Sequence, residues 1–392
     1  MNECDTYRAP RGEAEHAALA EVLSEAFSVR TEDLRERFET VGEANMRVLL
    51  QQAEVAAGLW LLPMGQWFGG KTVPMTGVAA VGVAAAARGR GAAHTLMTRS
   101  VNELHDRGIA LSALYPATHT LYRKSGYERA GGYYAIRLDA EDVLLRDRAL
   151  ALRPLGPGDE TAVRETYRAS ASGRNGALDR GPYIWDRVTE PRGERARGYG
   201  VFDGEHLAGY LYLLQRRREE SGYDLLLTDF VYRTPAAARR LLTFLGDHRS
   251  LAREIRWFGE PADVAVHLLP EPRVRVELRY VWMLRLTHVP AALAARGYPA
   301  GLETELHLAV RDEIVPGNAG NIVLRVADGT GEVVPGGSGA LELDVRALAA
   351  LYSGFLSPTA LRLAGAIAGD EAHLRRASAI FAGPAPMMTD LF

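Results

Sequence analysis

The segment VGVAAAARGRGAAHTL, residues 81–96, sets two glycines and two arginines between a strand-like apolar run and a helical pattern. The first amides of a helix carry partial positive charge and have no intrahelical partner. Backbone groups at Gly89, Arg90, Gly91, Ala92 and Ala93 are therefore suited to cradle a pyrophosphate. Glycine serves there because a side chain would hold the phosphate away from the backbone. Arg88 and Arg90 add charge-assisted bonds to the same anion or to a ribose phosphate. Taken alone, RGRG fits a tight strand-to-helix turn with solvated arginines at least as well, and the surrounding order of elements tilts the choice to anion binding.

That order begins with a helical pattern over Ala14–Phe27, followed by apolar segments Val48–Leu62 and Thr72–Val83 on either side of a GQWFGG corner, which read as an antiparallel pair. After the turn, Leu96, Met97, Val101 and Leu104 recur at helical spacing and Gly108 supplies a stop. A short strand IALSALY and the segment LYRKSGY complete the unit. Arg195–Leu269 runs through much the same order, so an internal duplication is expected. Its strand-to-helix link, YRTPAAARR, has no glycine and carries Pro235, which leaves few amides free for a phosphate. From about His288 a third α+β unit follows: a short helix, apolar segments LHLAV, NIVLRVA and ALELDV around the turns PGNAG and ADGTG, then three helix-like stretches. Gly383, Pro384 and Pro386 give the terminal GPAPMMTDLF an extended path.

A chain of 392 residues is expected to form roughly two to four domains. A formal net charge of -3 argues against a nucleic-acid partner, because a phosphate-neutralising surface pushes the balance basic. With Cys4 the single cysteine, neither an intrachain disulfide nor a cysteine-rich zinc site is expected, and no metal. The start MNECDTYRAP has neither a basic stretch nor an apolar core, and no run approaches the roughly 18 apolar residues of a membrane span, so a cytoplasmic protein without a membrane partner is expected.

The glycine-rich turn resembles the acetyl-CoA loop of the GNAT superfamily, R/Q-x-x-G-x-G/A, with Gly89 and Gly91 in the glycine positions. Ala86 departs from the first position, and Arg88 substitutes for the missing contact. The resemblance implies that backbone groups of Val81 and Val83 pair with the pantetheine arm, as an added strand would, and that the Val83 amide is the oxyanion donor. A narrower resemblance covers nearly the whole chain. LYPATHTLYRKSGYERAG is similar to the tyrosine-containing Y-x-x-x-G-Y segment of the Eis acetyltransferases, VPAALAARGYP resembles their entry into the third domain, and an aromatic C-terminus follows a proline-containing tail. It implies two tandem GNAT-like mixed-sheet domains, 1–145 and 146–287, the second without a pyrophosphate loop. A sterol-carrier-protein-like α+β domain, 288–392, then delivers the tail to the active site. It further implies an acetyl-CoA-dependent N-acetyltransferase that assembles as a homohexamer.

Acyl transfer to an amine needs a base for the amine and an acid for the departing thiolate. Many GNAT enzymes carry a glutamate on the strand before the loop, but TGVAAVGV has no acidic residue. The family resemblance gives the base role to the α-carboxylate of Phe392, ionised at neutral pH with a pKa near ~3.5, and anchors its ring in an apolar pocket. It gives the acid role to Tyr122, whose phenol at ~10 donates slightly uphill to a thiolate whose acid lies near ~8.5. Tyr127 fits a core tyrosine with its hydroxyl satisfied by backbone. A solvated or helix-surface role is the commoner outcome for lone histidines: His94 and His105 fall on the helix leading away from the loop, and His119, closer to Tyr122, is the one candidate to border the substrate. An acceptor pocket is expected from Phe27, Glu32, Asp33, Trp60, His119 and Asp390. Aminoglycosides are plausible acceptors, yet the penultimate Leu391, where an acid often stands, favours a less cationic amine. Two alternatives are peptide or protein lysine amines, and a non-catalytic binder of apolar ligands.

Overall fold

The computed structural model describes residues 5–271 and 273–392, and Cys4 lies outside them. The first unit contains β1 (Thr6–Arg8), α1 (Gly12–Phe27), α2 (Thr31–Val41), β2 (Met46–Gln51), β3 (Glu54–Phe68), β4 (Lys71–Val83), α3 (Ala92–Asp106), β5 (Leu111–Leu114), α4 (His119–Lys124) and β6 (Glu128–Asp139). Strands β1 to β4 form an antiparallel meander, and α3 crosses over to place β5 parallel to β4. The segment expected as one strand over 48–62 is broken in two. Gln52 and Ala53 both have positive φ, 51° and 66°, the signature of a two-residue hairpin turn built without glycine. Leu96, Met97, Val101 and Leu104 are fully buried beneath α3 and fix its crossover.

The second unit holds β7 (Ala151–Pro154), α5 (Glu160–Ala171), β8 (Leu178–Asp179), α6 (Pro182–Thr189), the hairpin β9 (Arg197–Asp203) and β10 (His206–Arg217), β11 (Tyr223–Tyr232), α7 (Pro235–Gly246), β12 (Ala252–Gly259) and β13 (Val274–Leu286). Again a helix, α7, links two parallel strands, β11 and β12. The last strand returns to the first unit: β13 inserts between β5 and β6, antiparallel to both, while β12 pairs with the far side of β6. One continuous sheet results, ordered β1-β2-β3-β4-β5-β13-β6-β12-β11-β10-β9-β7, with β8 on the outer end of β3.

The third unit carries α8 (Val289–Ala295), β14 (Thr304–Arg311), β15 (Gly320–Ala327), β16 (Thr330–Pro335), β17 (Leu341–Asp344), α9 (Val345–Ser353), α10 (Pro358–Leu363), β18 (Ile367–Ala368) and α11 (Glu371–Ile380). Its sheet runs β16-β15-β14-β17-β18. Strand β16, GEVVP, has no counterpart in the sequence reading. Docking to the first unit is close: Gly297 N donates to Phe68 O at 3.0 Å, and a Cβ on Gly69 would stand 2.1 Å from Gly297 O. The buried Arg296 lies among the rings of Phe68, Tyr298, Tyr352 and Phe381. Arg285 and Asp312, both wholly buried, form a 2.6 Å ion pair across the same junction.

Candidate active site

Two features of β4 open a gap in the sheet. Its pairing with β5 runs through Met75↔Leu111, Thr76↔Ser112 and Gly77↔Ala113 and then stops. Opposite β3, the register moves from Trp60↔Ala79 to Gly58↔Gly82, so Ala80 and Val81 face the single residue Leu59. This is a β-bulge, with Ala80 at φ 51°. The bulge bends β4 away from β5 beyond Gly77 and leaves that edge of Val78–Val83 without a strand partner.

At the far end of the gap the chain enters α3. Gly91 caps the helix at φ 85°, ψ 0°, with no side chain accepting from the first amides, and Gly89 also has positive φ, 74°. A Cβ at either glycine would meet no atom within 4 Å, so glycine is required by backbone conformation and the space above the turn is open. Val83, Arg88, Gly89, Gly91, Ala92 and Lys124 contribute to a cleft of about 640 Å³ there. The α7 helix offers the contrast: Thr234 Oγ1 accepts from Ala237 N at 3.1 Å, and Pro235 supplies no amide. Arg88 Nε donates to Val83 O at 3.3 Å, which ties the turn to the strand, and Glu25 takes the Ala85 amide at 3.2 Å. Uncapped amides, positive-φ glycines and two flanking cations fit the diphosphate of a coenzyme A thioester.

The C-terminal tail reaches the base of this gap. Met387 bridges Gly132 of β6 in parallel: Gly132 N donates to Pro386 O at 3.3 Å and Met388 N to Gly132 O at 3.2 Å. Asn175 clamps the path, its carbonyl accepting from Met387 N at 3.0 Å and its Nδ2 donating to Pro384 O at 3.3 Å. Tyr115 Oη donates to Asp390 O at 2.7 Å. The Phe392 ring then packs edge-on to Tyr115, 5.6 Å between centroids, and against Gly77 and Met64 where β4 and β5 part.

Tyr122 is buried on α4 at 5 % exposure, edge-on to Tyr127 at 6.3 Å. Burial pushes its phenol up to about 12, and among the described residues its hydroxyl has no hydrogen-bond partner. Tyr127 is the core tyrosine, its hydroxyl sharing a 2.8 Å bond with Ser112 Oγ, a side chain and not backbone.

The six expected pocket residues sit in different surroundings, and Trp60 belongs to the hydrophobic cluster against which the Phe392 ring packs. Phe27 is 46 % exposed at the end of α1, Glu32 is exposed on the first turn of α2, and Asp33 is paired with Arg30 at 2.5 Å on the surface. His119 is exposed at the start of α4, Arg90 is exposed on the glycine-rich turn, and neither is among the residues lining the cleft there. Trp60 is buried between the rings of Phe38 and Tyr183. Asp390 holds a buried network instead of an open carboxylate: Arg180 reaches it with Nε at 3.0 Å and Nη2 at 2.8 Å, Tyr167 donates at 3.3 Å, and Arg180 also pairs with Asp229 at 2.6 Å. Local periodicity carries no trace of the Arg180–Asp390 pair, which lies 210 residues apart in sequence. Among the described residues no group of three or more His, Cys, Asp or Glu is placed to hold a metal ion.

A mixed sheet splayed at a bulged strand, with a glycine-rich turn and an uncapped helix N-terminus at the split, defines a GNAT-fold acetyltransferase. Known proteins agree. Models described as "Acetyltransferase (GNAT) domain" match residues 6–130 and 176–286, and one described as "Sterol carrier protein domain" matches 289–389. An uncharacterized N-acetyltransferase of Streptomyces coelicolor is 30% identical over 326 residues, 76% of each chain. N-acetyltransferase Eis of Mycobacterium tuberculosis is 27% identical over 342 residues, 81% of this chain and 80% of that one. The crystal structure of a GCN5-related N-acetyltransferase from Anabaena variabilis superposes with a TM-score of 0.94 at 36% identity, over 99% of this chain and 100% of that one. The chain belongs to the Eis-type N-acetyltransferases of the GNAT superfamily, with two GNAT domains and a sterol-carrier-like domain. It is an enzyme, and its GNAT domains imply the use of acetyl-CoA.

Proposed function

We propose that the enzyme acetylates a primary amine of a small molecule by direct attack, with the terminal carboxylate of Phe392 as general base and Tyr122 as general acid. The observation that carries this reading is the seating of the Phe392 ring where β4 and β5 part, at the base of the gap whose other end is the glycine-rich turn. Acetyl-CoA supplies the activated thioester. The amides of Gly89, Gly91 and Ala92, with Arg88 and Arg90 near, hold its diphosphate. The unpartnered edge at Val81 and Val83 holds the pantetheine arm, and the Val83 amide faces the developing oxyanion. The Phe392 carboxylate, ionised at neutral pH, receives the proton of the amine directly or through one water.

Tyr122 keeps its proton throughout the neutral range. With its phenol at about 12, transfer to a sulfur of ordinary thiol acidity is uphill by roughly 3.5 units, about 5 kcal/mol, steeper than an unburied phenol allows. Tyr122 Oη therefore acts first as a hydrogen-bond donor to the departing sulfur and gives up its proton late.

The same reading keeps the three units at 1–145, 146–287 and 288–392 and places the enzyme in the cytoplasm. No helix among the described residues is long and apolar enough to cross a membrane. The homohexamer is what the family resemblance implies, and the outer half of β13, where Val276, Leu278 and Tyr280 are exposed beyond the end of β5, offers an apolar face for self-association.

Free-thiol release from acetyl-CoA over a panel of amines tests the proposal. Tyr122→Phe and a chain extended by a few residues past Phe392 are expected to lose most turnover while still binding acetyl-CoA. Full rates in both would reject the assignment of acid and base.

A further inference from the structure

Beside the tail lies a second cleft, of about 340 Å³, between α6 and the sheet of the second unit, with Thr389, Asp390 and Leu391 as its end wall. Its floor is apolar and aromatic: Tyr133 and Phe258 stack at 4.6 Å and 26°, and Tyr133 packs edge-on to Tyr115, the residue that also touches the Phe392 ring. A flat molecule lying on this floor would have one end at the tail and the other at the turn after α6.

The charge of that cleft is one-sided. Arg187, Arg192 and Arg216 line it, and Asp390 is the one acidic residue of the lining. Asp390 is already committed, because both of its oxygens are held by the buried Arg180. Arg216 is paired with Glu194. Among the described residues neither Arg187 nor Arg192 has a carboxylate partner. Arg187 is half-buried with its guanidinium 5.9 Å from the centre of the Tyr183 ring, and Arg192 sits in a left-handed turn at φ 57° directly after α6. Two unpaired guanidinium groups over an aromatic floor would repel a polycation and suit an anion.

Resting on the acetyltransfer reading above, we propose that the acceptor is a primary amine bearing an anionic group, a carboxylate or a phosphate, bound by Arg187 with Arg192 while its amine faces the tail. This gives physical content to the expectation of a less cationic amine, and it makes Arg187 the residue that sets acceptor specificity.

The test compares para-aminomethylbenzoate, para-aminomethylphenylphosphonate, benzylamine and para-xylylenediamine, amines that share one ring and differ in the far substituent. kcat/KM from thiol release is expected to be on the order of tenfold higher for an anionic member than for benzylamine, the size of one charged hydrogen bond, and lowest for the diamine. The better of the two anions identifies carboxylate or phosphate as the group bound. In Arg187→Gln the ratio of anionic to neutral amine should collapse toward one, and Arg187→Lys should restore part of it. Calorimetric binding of para-toluate, lost in Arg187→Gln, is the readout that needs no turnover. Acetylation of benzylamine with no gain for either anion, or a preference for the diamine, would overturn this inference and leave the acetyltransfer reading intact. Absence of thiol release with every amine, together with no binding of para-toluate, would overturn both.

Discussion

Replacing Gly77 with alanine is expected to unseat the end of the chain without touching the cofactor turn. A methyl group there would stand 2.7 Å from Phe392 Cε2 and 3.0 Å from its Cδ2, with Met64 Cε also at 3.0 Å. The strand cannot retreat, because Gly77 is paired on one side with Leu62 and on the other with Ala113. The terminal ring has to move. Overpacking of this kind costs ~1–3 kcal/mol, and full burial of a phenylalanine ring stabilises by only about 1.5–3 kcal/mol, an upper bound for the partly buried Phe392. The two nearly cancel, so the seated tail loses most of its margin over a released one. A displacement of only ~1 Å in a reacting group lowers a rate by about a hundredfold, so kcat from thiol release should fall by one to two orders of magnitude. Acetyl-CoA affinity, followed by calorimetry, should stay where it was, because the turn at Gly89–Ala92 lies at the other end of the gap. Wild-type kcat in a stably folded Gly77→Ala enzyme would refute the reasoning, since it would mean that the position of Phe392 does not matter to the reaction.

Asp390→Asn should loosen the tail: it strips one of two carboxylates from an Arg180 side chain that is 1% exposed, and because Asp229 still pairs with Arg180 the cost falls below the ~3–5 kcal/mol of a buried charge left alone. Faster trimming by carboxypeptidase and a lower kcat would show it, and unchanged trimming would contradict it. Gly91→Ala meets no neighbouring atom, so its cost to the free protein is the left-handed backbone at φ 85°, about 1–2 kcal/mol, while its methyl group would hold the diphosphate off the amides. Acetyl-CoA affinity should drop by roughly tenfold, and an unaltered dissociation constant would remove the turn from the binding site. Because burial raises the Tyr122 phenol to about 12, above its ordinary value near 10, the neutral form persists below the unfolded value and is lost only as pH climbs toward the folded one. Tyr122→Phe should accordingly lower thiol release at every pH below about 10 without moving the limbs of the profile, and a shifted basic limb would be evidence against this.

Local signals made the strand, glycine-rich turn and helix start legible and left the surroundings of the tail hidden. The sequence VGVAAAARGRGAAHTL carries apolar strand residues, two glycines and helical spacing within one short window, and these are the features that set a strand, a positive-φ turn and an uncapped helix start. The duplicated order over Arg195–Leu269 was readable for the same reason, its hairpin turning at Gly204 and its helix starting behind Thr234. Nothing local announces that β13 leaves the second unit to sit between β5 and β6, because strand pairing across more than a hundred residues leaves no period in either partner. The bulge at Ala80 and the turn at Gln52–Ala53 use positive φ without glycine, so the residue that usually marks such a conformation is missing. Acids on the N-terminal helices and near the C-terminus looked available to an amine, yet Asp33 is spent on Arg30 and Asp390 on Arg180. The arginines of the α6 cleft escaped attention because their surroundings are assembled from six separate stretches of chain.

A crystal structure of the enzyme with coenzyme A tests the central claim most directly. The diphosphate is expected on the amides of Gly89 to Ala92, the sulfur between β4 and β5, and the Phe392 carboxylate no farther from it than one bridging water. A diphosphate bound elsewhere, or a terminal carboxylate turned out of the gap, would contradict it.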